Sequence, residues 1–367
     1  MHLKNIALTR CRIPFKQSFS HAAAKRVESD VIHIEITNEN GSVGFGEIQA
    51  RPYVTGESND SIWNEYAPKL AENLLSAKLN SKIELDSWLE QTGLRDDHPA
   101  CVGGFDMAFH DLLELEAELS WNAIFGNPRS RPAGRCLTID GAQERDALVR
   151  AAKFARLTGC SATKLKVANT DDIERCHLLR EHLGPEISIR LDGNGQMALV
   201  DAIALLDQCR HLRIESLEEP LNRSDDAILE QLTALHQQSG VDLVADESAV
   251  DAGDVHKIAK TNAFQVINVR IGKCGGISGT QAVIEAAKQH GLKLVCGTMV
   301  GESAVLLRYS KKLLQHCDQL DYVEGIDQNK TLLADEVVVE DDSSENSHFA
   351  WQLNQRNQYQ IGTKIIR

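Results

Sequence analysis

Lysine and carboxylate clusters return along this chain at nearly even intervals. Lys164-Leu165-Lys166 is followed by Asp192-Gly193-Asn194, Glu218-Glu219-Pro220, Asp246-Glu247-Ser248 and Asn268-Val269-Arg270. The steps from Lys166 to Asp192, Glu218, Asp246 and Arg270 are 26, 26, 28 and 24 residues. A strand, a helix and two loops need about that length, given helices of ~10–14 residues, strands of ~5–6 and short connections. Each cluster therefore falls at the same point of successive βα units. In a closed (β/α)8 barrel that point is the C-terminal mouth, where catalytic groups gather. Three acids and a lysine pair at one mouth describe a metal site with a base.

The rhythm starts near Cys136–Asp140 and continues through strands expected at Thr163–Val167, Ser188–Asp192, Arg213–Glu218, Asp242–Asp246, Gln265–Arg270 and Lys293–Gly297. Helical segments such as Ala142–Leu157, Asp171–Leu183 and Ala198–His211 lie between them. Strict alternation of strand and helix implies a parallel sheet. An eighth unit is weaker, with a helix at Ala304–Gln315 and a short strand at Leu320–Glu324. The first ~125 residues are different. Asp30–Thr37 alternates, turns at Asn38–Ser42 and returns as Val43–Ile48, a hairpin with Asn-Gly turn chemistry. Helical periodicity follows over Asp60–Gln91 and Gly103–Leu119. The expected organisation is an α+β domain over 1–125, completed by the C-terminal segment 335–367, and a barrel over 126–334. Glu336–Glu340 is expected to return to the first domain.

The net charge of −14 argues against a nucleic acid or an anionic membrane surface as partner. Nine cysteines form no CxxC pair or zinc-like cluster and read as reduced thiols of a cytoplasmic protein. The opening residues alternate like a strand and carry no signal-peptide apolar stretch, and no run of 18 apolar residues occurs. A homo-oligomer is expected.

Lys164 and Lys166 are two apart on one strand and share a side. Facing the helix layer they would be costly to bury, so the barrel interior near the mouth is their place. Each ammonium disfavours the charge of the other and burial pushes the same way, which would suit one of them to act as a general base. Asp192, Glu218 and Asp246 each close an apolar strand. Three oxygen ligands without a neighbouring His or Cys favour Mg²⁺ over Zn²⁺. Gly275-Gly276 would cradle a phosphate at a helix N-terminus or simply serve as a tight turn. His110, inside a helical run, reads as packing or surface.

Taken as an ordered set, these residues resemble the enolase superfamily, specifically its muconate-lactonizing-enzyme subgroup. Gly44-Phe45-Gly46-Glu47 resembles the GxGE of the family's capping domain, Thr55-Gly56-Glu57 its loop TGE, and Gly104 to Asp111 its "aldmAlwD" helix. Lys164-Leu165-Lys166, Asp192-Gly193-Asn194, Glu218-Glu219-Pro220, Asp246-Glu247-Ser248 and Asn268 to Ile277 match its barrel motifs in order. The resemblance implies a capping α+β domain over a (β/α)7β TIM-type barrel. It implies Mg²⁺ on Asp192, Glu218 and Asp246, and removal of the proton α to the carboxylate of a small substrate to give an enediolate. Lys166 would be the base and Lys164 would help stabilise the enolate. Asn194 and Glu247 are further site candidates. The strand ending at Gly297 lacks the histidine that the mandelate-racemase subgroup uses.

Two departures bear on the reaction. Arg270 stands where the family has its second lysine, and Lys273 three residues on is the substitute to consider. The segment from Gly297 to Glu302 is one residue longer than usual before its acid. The expected activity is a one-base route ending in cycloisomerisation or syn β-elimination. The alternatives are a racemase or epimerase of amino-acid derivatives or dipeptides, and a catalytically reduced enolase-like binding protein.

Overall fold

A computed structural model of the chain describes residues 1–21, 24–139, 144–222, 227–334 and 359–367. Twelve strands among these fall into two sheets. β1 (Leu3–His21), β2 (Ala24–Asn38), β3 (Val43–Ile48) and β12 (Gln360–Ile366) form an antiparallel sheet in the order β12-β1-β2-β3. Alternation along β1 and β2 puts Ile6, Leu8, Ile32, Ile34 and Ile36 on one fully buried face. The helix Pro99–Leu115 packs on it, opened by a proline in its first turn. A Cβ on Gly44 would lie 2.1 Å from the Ala108 carbonyl oxygen, and one on Gly46 2.0 Å from that of Gly104. The two glycines let strand and helix backbones touch.

β4 (Gly134–Ile139), β5 (Ala162–Lys166), β6 (Ser188–Asp192), β7 (Ile214–Glu218), β8 (Asp242–Ala245), β9 (Val266–Val269), β10 (Lys293–Cys296) and β11 (Leu320–Glu324) close into a parallel barrel. One main helix separates each consecutive pair, the last being Ala304–His316 between β10 and β11. Eight strands with seven intervening helices make the (β/α)7β form, so the weak eighth strand is present. The helix expected from Ala142 begins at Arg145, with 140–143 outside the described residues. The segment 336–340 also lies outside them.

The antiparallel sheet and its helices grip the barrel through carboxylates at helix N-termini. Glu47, at the end of GxGE, accepts from Ser303 N at 3.0 Å, Ser303 Oγ at 2.5 Å and Leu306 N at 3.2 Å, at the start of the helix Ala304–His316. Asp106 Oδ2 accepts from Ile277 N at 2.5 Å and Ser278 N at 3.2 Å, at the start of the helix Gly276–Gln289. Glu57, of TGE, accepts from Ala100 N and Cys101 N at 2.8 and 2.9 Å and caps the helix Pro99–Leu115. A carboxylate there satisfies orphan N–H groups and meets the positive end of the helix dipole. No described helix is long and apolar enough to cross a membrane. All nine cysteines are buried and free of disulfides.

Candidate active site

Parallel register sets three of the expected residues side by side. Lys166 pairs with Asp192, and Asp192 with Glu218, on β5, β6 and β7. One level below, Lys164 pairs with Arg190 and Arg190 with Ser216. Because side chains alternate along a strand, both rows point into the barrel. Val244, Val266 and Val295, with Tyr322 against them, form a small apolar cluster on the other side of the ring, Val244 pairing with Glu218. A cavity of about 860 Å³ opens above, lined by Lys164, Lys166, Asp192, Asn194, Glu247, Arg270 and Glu324, with Tyr53, Met299 and Leu332 among the wall residues.

The two lysines have different surroundings. Lys164 Nζ lies 3.0 Å from Glu218 Oε1, 2.5 Å from Glu324 Oε2 and 3.7 Å from Asp192 Oδ2, with its side chain 4% exposed. Burial works against its charge, but Glu218, Glu324 and Asp192 outweigh burial and hold Lys164 well above the usual lysine range. The expectation of a lowered pKa is corrected for this residue: the sequence shows the neighbouring ammonium but not the three carboxylates that converge on it. Lys166 Nζ donates to Asn194 Oδ1 at 2.6 Å and lies 3.4 Å from Asp192 Oδ2, with its side chain 14% exposed to the cavity. Asn194 owes its position to a left-handed backbone (φ 45°) and a hydrogen bond from its N to Asp192 Oδ1 at 3.0 Å.

The acids are buried and mutually repelling. Burial pushes Glu218 up to about 8, with Lys164 opposing and Asp192, Glu324 and Asp246 adding to the rise. Burial also disfavours the charge on Asp192, yet Lys166 and Lys164 prevail and hold it below the ordinary carboxyl range. Asp246 likewise overcomes burial through Arg270 and Lys273 and sits well below that range. Its loop is fixed by Glu219, which accepts from Asp246 N, Ser248 N and Ser248 Oγ at 2.6–2.8 Å.

Arg270 follows directly on β9, four strands from β5 in the eight-strand ring, and so faces Lys166 from the opposite wall. Its Nη2 pairs with Asp246 Oδ2 and lies 3.8 Å from Glu218 Oε1. Lys273 does not reach the cavity. It is wholly buried and its Nζ donates to Asp246 O, Asn268 O and Asp246 Oδ1 at 2.6, 2.7 and 3.1 Å. Those three acceptors exhaust its donors, so Lys273 is a structural cation. Glu302 is buried behind the cavity wall, with Oε1 accepting from Met299 N at 2.5 Å, and burial raises it to about 8. Glu247 lines the cavity, and burial first, then Asp246 and Glu219, push it well above the usual range. The Gly275-Gly276 turn is no phosphate cradle: Asp106 already takes Ile277 N and Ser278 N, and a Cβ on Gly276 would lie 2.4 Å from Asp106 Oδ2. His110 is buried with Nδ1 2.9 Å from Asp106 O, as packing.

Two interior residues escaped the sequence reading. Arg190 Nη1 meets Glu324 Oε1 at 2.5 Å, which chains Arg190, Glu324, Lys164 and Glu218 into one buried network. Alternation alone would have put Arg190, two before Asp192, inside the barrel. Glu324 closes the weakest strand and carried no comparable signal.

The donor set of Asp192, Glu218 and Asp246, three buried carboxylates that repel one another, fits a hard divalent cation such as Mg²⁺. Among the described residues no group of three or more His, Cys, Asp and Glu side chains closes tightly enough to hold a metal ion. Cations lie between these acids: Lys164 is within 4 Å of Asp192 and Glu218, and Arg270 of Glu218 and Asp246.

Barrel, cap and acid row together define the architecture of one enzyme class, and comparison with known proteins agrees. Residues 147–352 match the family model described as enolase C-terminal domain-like. The chain is 26% identical to a hydrophobic dipeptide epimerase of Enterococcus faecalis, over 83% of this chain and 84% of that one. It is 30% identical to an L-Ala-D/L-amino acid epimerase of Populus trichocarpa, over 78% and 68%. The crystal structure of a dipeptide epimerase from Cytophaga hutchinsonii, complexed with Mg and the dipeptide D-Ala-L-Val, superposes with a TM-score of 0.86 at 19% identity, covering all of both chains. This chain belongs to the enolase C-terminal domain-like family, within the enolase superfamily of enzymes.

Proposed function

We propose that this chain removes the proton α to the carboxylate of a small acid, with Lys166 as base and Mg²⁺ held by Asp192, Glu218 and Asp246. The observation that carries the reading is the opposition of Lys166 and Arg270 across the cavity. Lys166 is the more exposed of the two lysines and can reach a substrate carbon. Asn194 aims its ammonium. Mg²⁺, when bound, supplies positive charge that draws density from the substrate carboxylate and acidifies the neighbouring C–H. Lys164, clamped by three carboxylates, keeps a fixed positive charge one level deeper. Arg270 orients a carboxylate or stabilises developing negative charge, and its guanidinium does not give up a proton to become a base. Chemistry then runs on one face and ends in cycloisomerisation or syn β-elimination. The nine buried thiols, none of them in a disulfide, support a reducing, cytoplasmic setting.

A second reading is favoured by the names of the relatives: epimerisation of dipeptides or related amino-acid derivatives. It requires proton return from the Arg270 side by some other donor. Incubating carboxylic acids, dipeptides and N-acyl amino acids with Mg²⁺ in deuterated buffer separates the two. The first reading gives α-deuteration of one isomer without conversion to the other, or loss of a β group. Rapid interconversion with exchange on both faces establishes the second, and no exchange with any acid overturns proton abstraction altogether.

A further inference from the structure

Asp246 accepts two cations, and they are not equivalent. Lys273 is locked by two backbone carbonyls as well as by Asp246 Oδ1, and it is 0% exposed. Arg270 is 13% exposed, lines the cavity, and has few fixed partners. Its Nη2 serves Asp246 and lies 3.8 Å from Glu218 Oε1. Among the described residues its Nη1 meets the Met299 sulfur, at 3.7 Å, a weak acceptor. Its Nε is buried without a hydrogen-bond partner among the described residues. Room on that side is kept by Gly297, where a Cβ would come within 3.0 Å of Nε. One nitrogen of the guanidinium therefore stands between two of the three acids, while Nε and Nη1 have no strong acceptor among the described residues.

We propose that Arg270 is an internal counter-cation seated between two metal ligands, and that it couples Mg²⁺ binding to carboxylate binding. The inference rests on the reading that Asp192, Glu218 and Asp246 hold the metal. A divalent cation on Asp246 would stand beside its two cations, like charge against like charge, and Lys273 is fixed by three acceptors. Arg270 is the one that swings. A guanidinium leaving Asp246 inside a largely buried site needs another anion, because an unpaired buried charge is costly. A substrate carboxylate in the cavity supplies it, matching the planar fork with two parallel N–H···O bonds. Each ligand then relieves the cost of the other, and the linkage is reciprocal. Either ligand alone works against the Arg270–Asp246 pair and binds more weakly than the two together.

Titration calorimetry of the full chain with Mg²⁺, with and without excess acetate, tests this without turnover. The wild type should bind Mg²⁺ roughly tenfold more tightly when acetate is present, in the usual range of coupling between two sites. Arg270→Gln should bind Mg²⁺ alone roughly tenfold more tightly than wild type and lose the acetate effect. Arg270→Lys keeps the charge without the fork and should lose most of the acetate effect. The wild-type titration stands by itself if a variant does not fold. Mg²⁺ binding that ignores acetate in the wild type overturns the coupling and leaves the metal reading intact. An unchanged acetate effect in Arg270→Gln does the same. Failure of every form to bind Mg²⁺ overturns the metal reading and the coupling with it.

Discussion

Two lysines two residues apart on β5 should separate stability from catalysis when each is replaced by methionine. In Lys164→Met, a fully desolvated cation is lost from between Glu218, Glu324 and Asp192. Removing one partner of a buried ion pair typically costs ~3–5 kcal/mol. The lower end applies here, since Arg190 remains 2.5 Å from Glu324 and Asn268 Nδ2 remains 3.2 Å from Glu218. A loss of ~3 kcal/mol lowers the midpoint of a chain this long by several degrees. In Lys166→Met, the lost contacts are one hydrogen bond to Asn194 and a longer approach to Asp192 at the cavity surface. A partly exposed pair contributes ~0–1 kcal/mol, so the midpoint should hardly move. Exchange of the substrate α proton should behave the other way. Lys166→Met should lose ~10²–10⁴-fold as a missing general base, whereas Lys164→Met should retain slow exchange. Thermal unfolding without added metal and deuterium uptake by a cognate acid read the two quantities on the same preparations. Near wild-type exchange in Lys166→Met, or an unshifted midpoint in Lys164→Met, would refute the division of labour.

Other outcomes follow from the same contacts. Glu218→Gln should weaken Mg²⁺ binding steeply in calorimetry, because a charged hard ligand becomes a neutral one; unchanged affinity would remove Glu218 from the metal site. Asp106→Ala strands Ile277 N and Ser278 N at a buried helix start and should cost ~2–4 kcal/mol, visible as a lower denaturation midpoint with catalysis at low temperature largely kept. Burial raises Glu47 to about 7 from an ordinary value of 4.5, so the folded state holds a proton that the unfolded state releases earlier. Stability from that proton is full below the unfolded pKa and is lost as pH rises through about 7. Glu47→Gln should therefore flatten the fall in melting temperature between pH 5 and 8, and an unaltered slope would exclude Glu47 as its source.

The acid row was legible because its chemistry repeats with the βα period and parallel register keeps that period in space. Lys166, Asp192 and Glu218 are neighbours on the sheet for the same reason that they are 26 residues apart in the chain. The charge state of Lys164 was not legible, since it depends on Glu324, which lies 160 residues away on the strand with the faintest signal. GxGE and TGE could be recognised as patterns without their work being visible. Glu47 reaches Ser303 across 256 residues and Glu57 reaches Ala100 across 43, and periodicity reports neither contact. The double glycine after Cys274 shows a related gap. Its anion is intramolecular, supplied by Asp106 from a helix that belongs to the other sheet.

That placement of Asp106 and Glu47 limits how such a molecule can be cut or recombined. Two helices of the barrel begin on carboxylates contributed from the N-terminal third of the chain. A fragment starting at residue 126 would present those helix starts to solvent without their acceptors, and the complementary fragment would carry two buried acids with nothing to receive. A chimera that joins this N-terminal portion to another barrel must match the pitch and spacing of the two helix starts before any loop near the substrate is considered. The parts look separable in outline, but their seam is made of shared hydrogen bonds, so new specificities are more readily grafted onto the loops than acquired by trading whole caps.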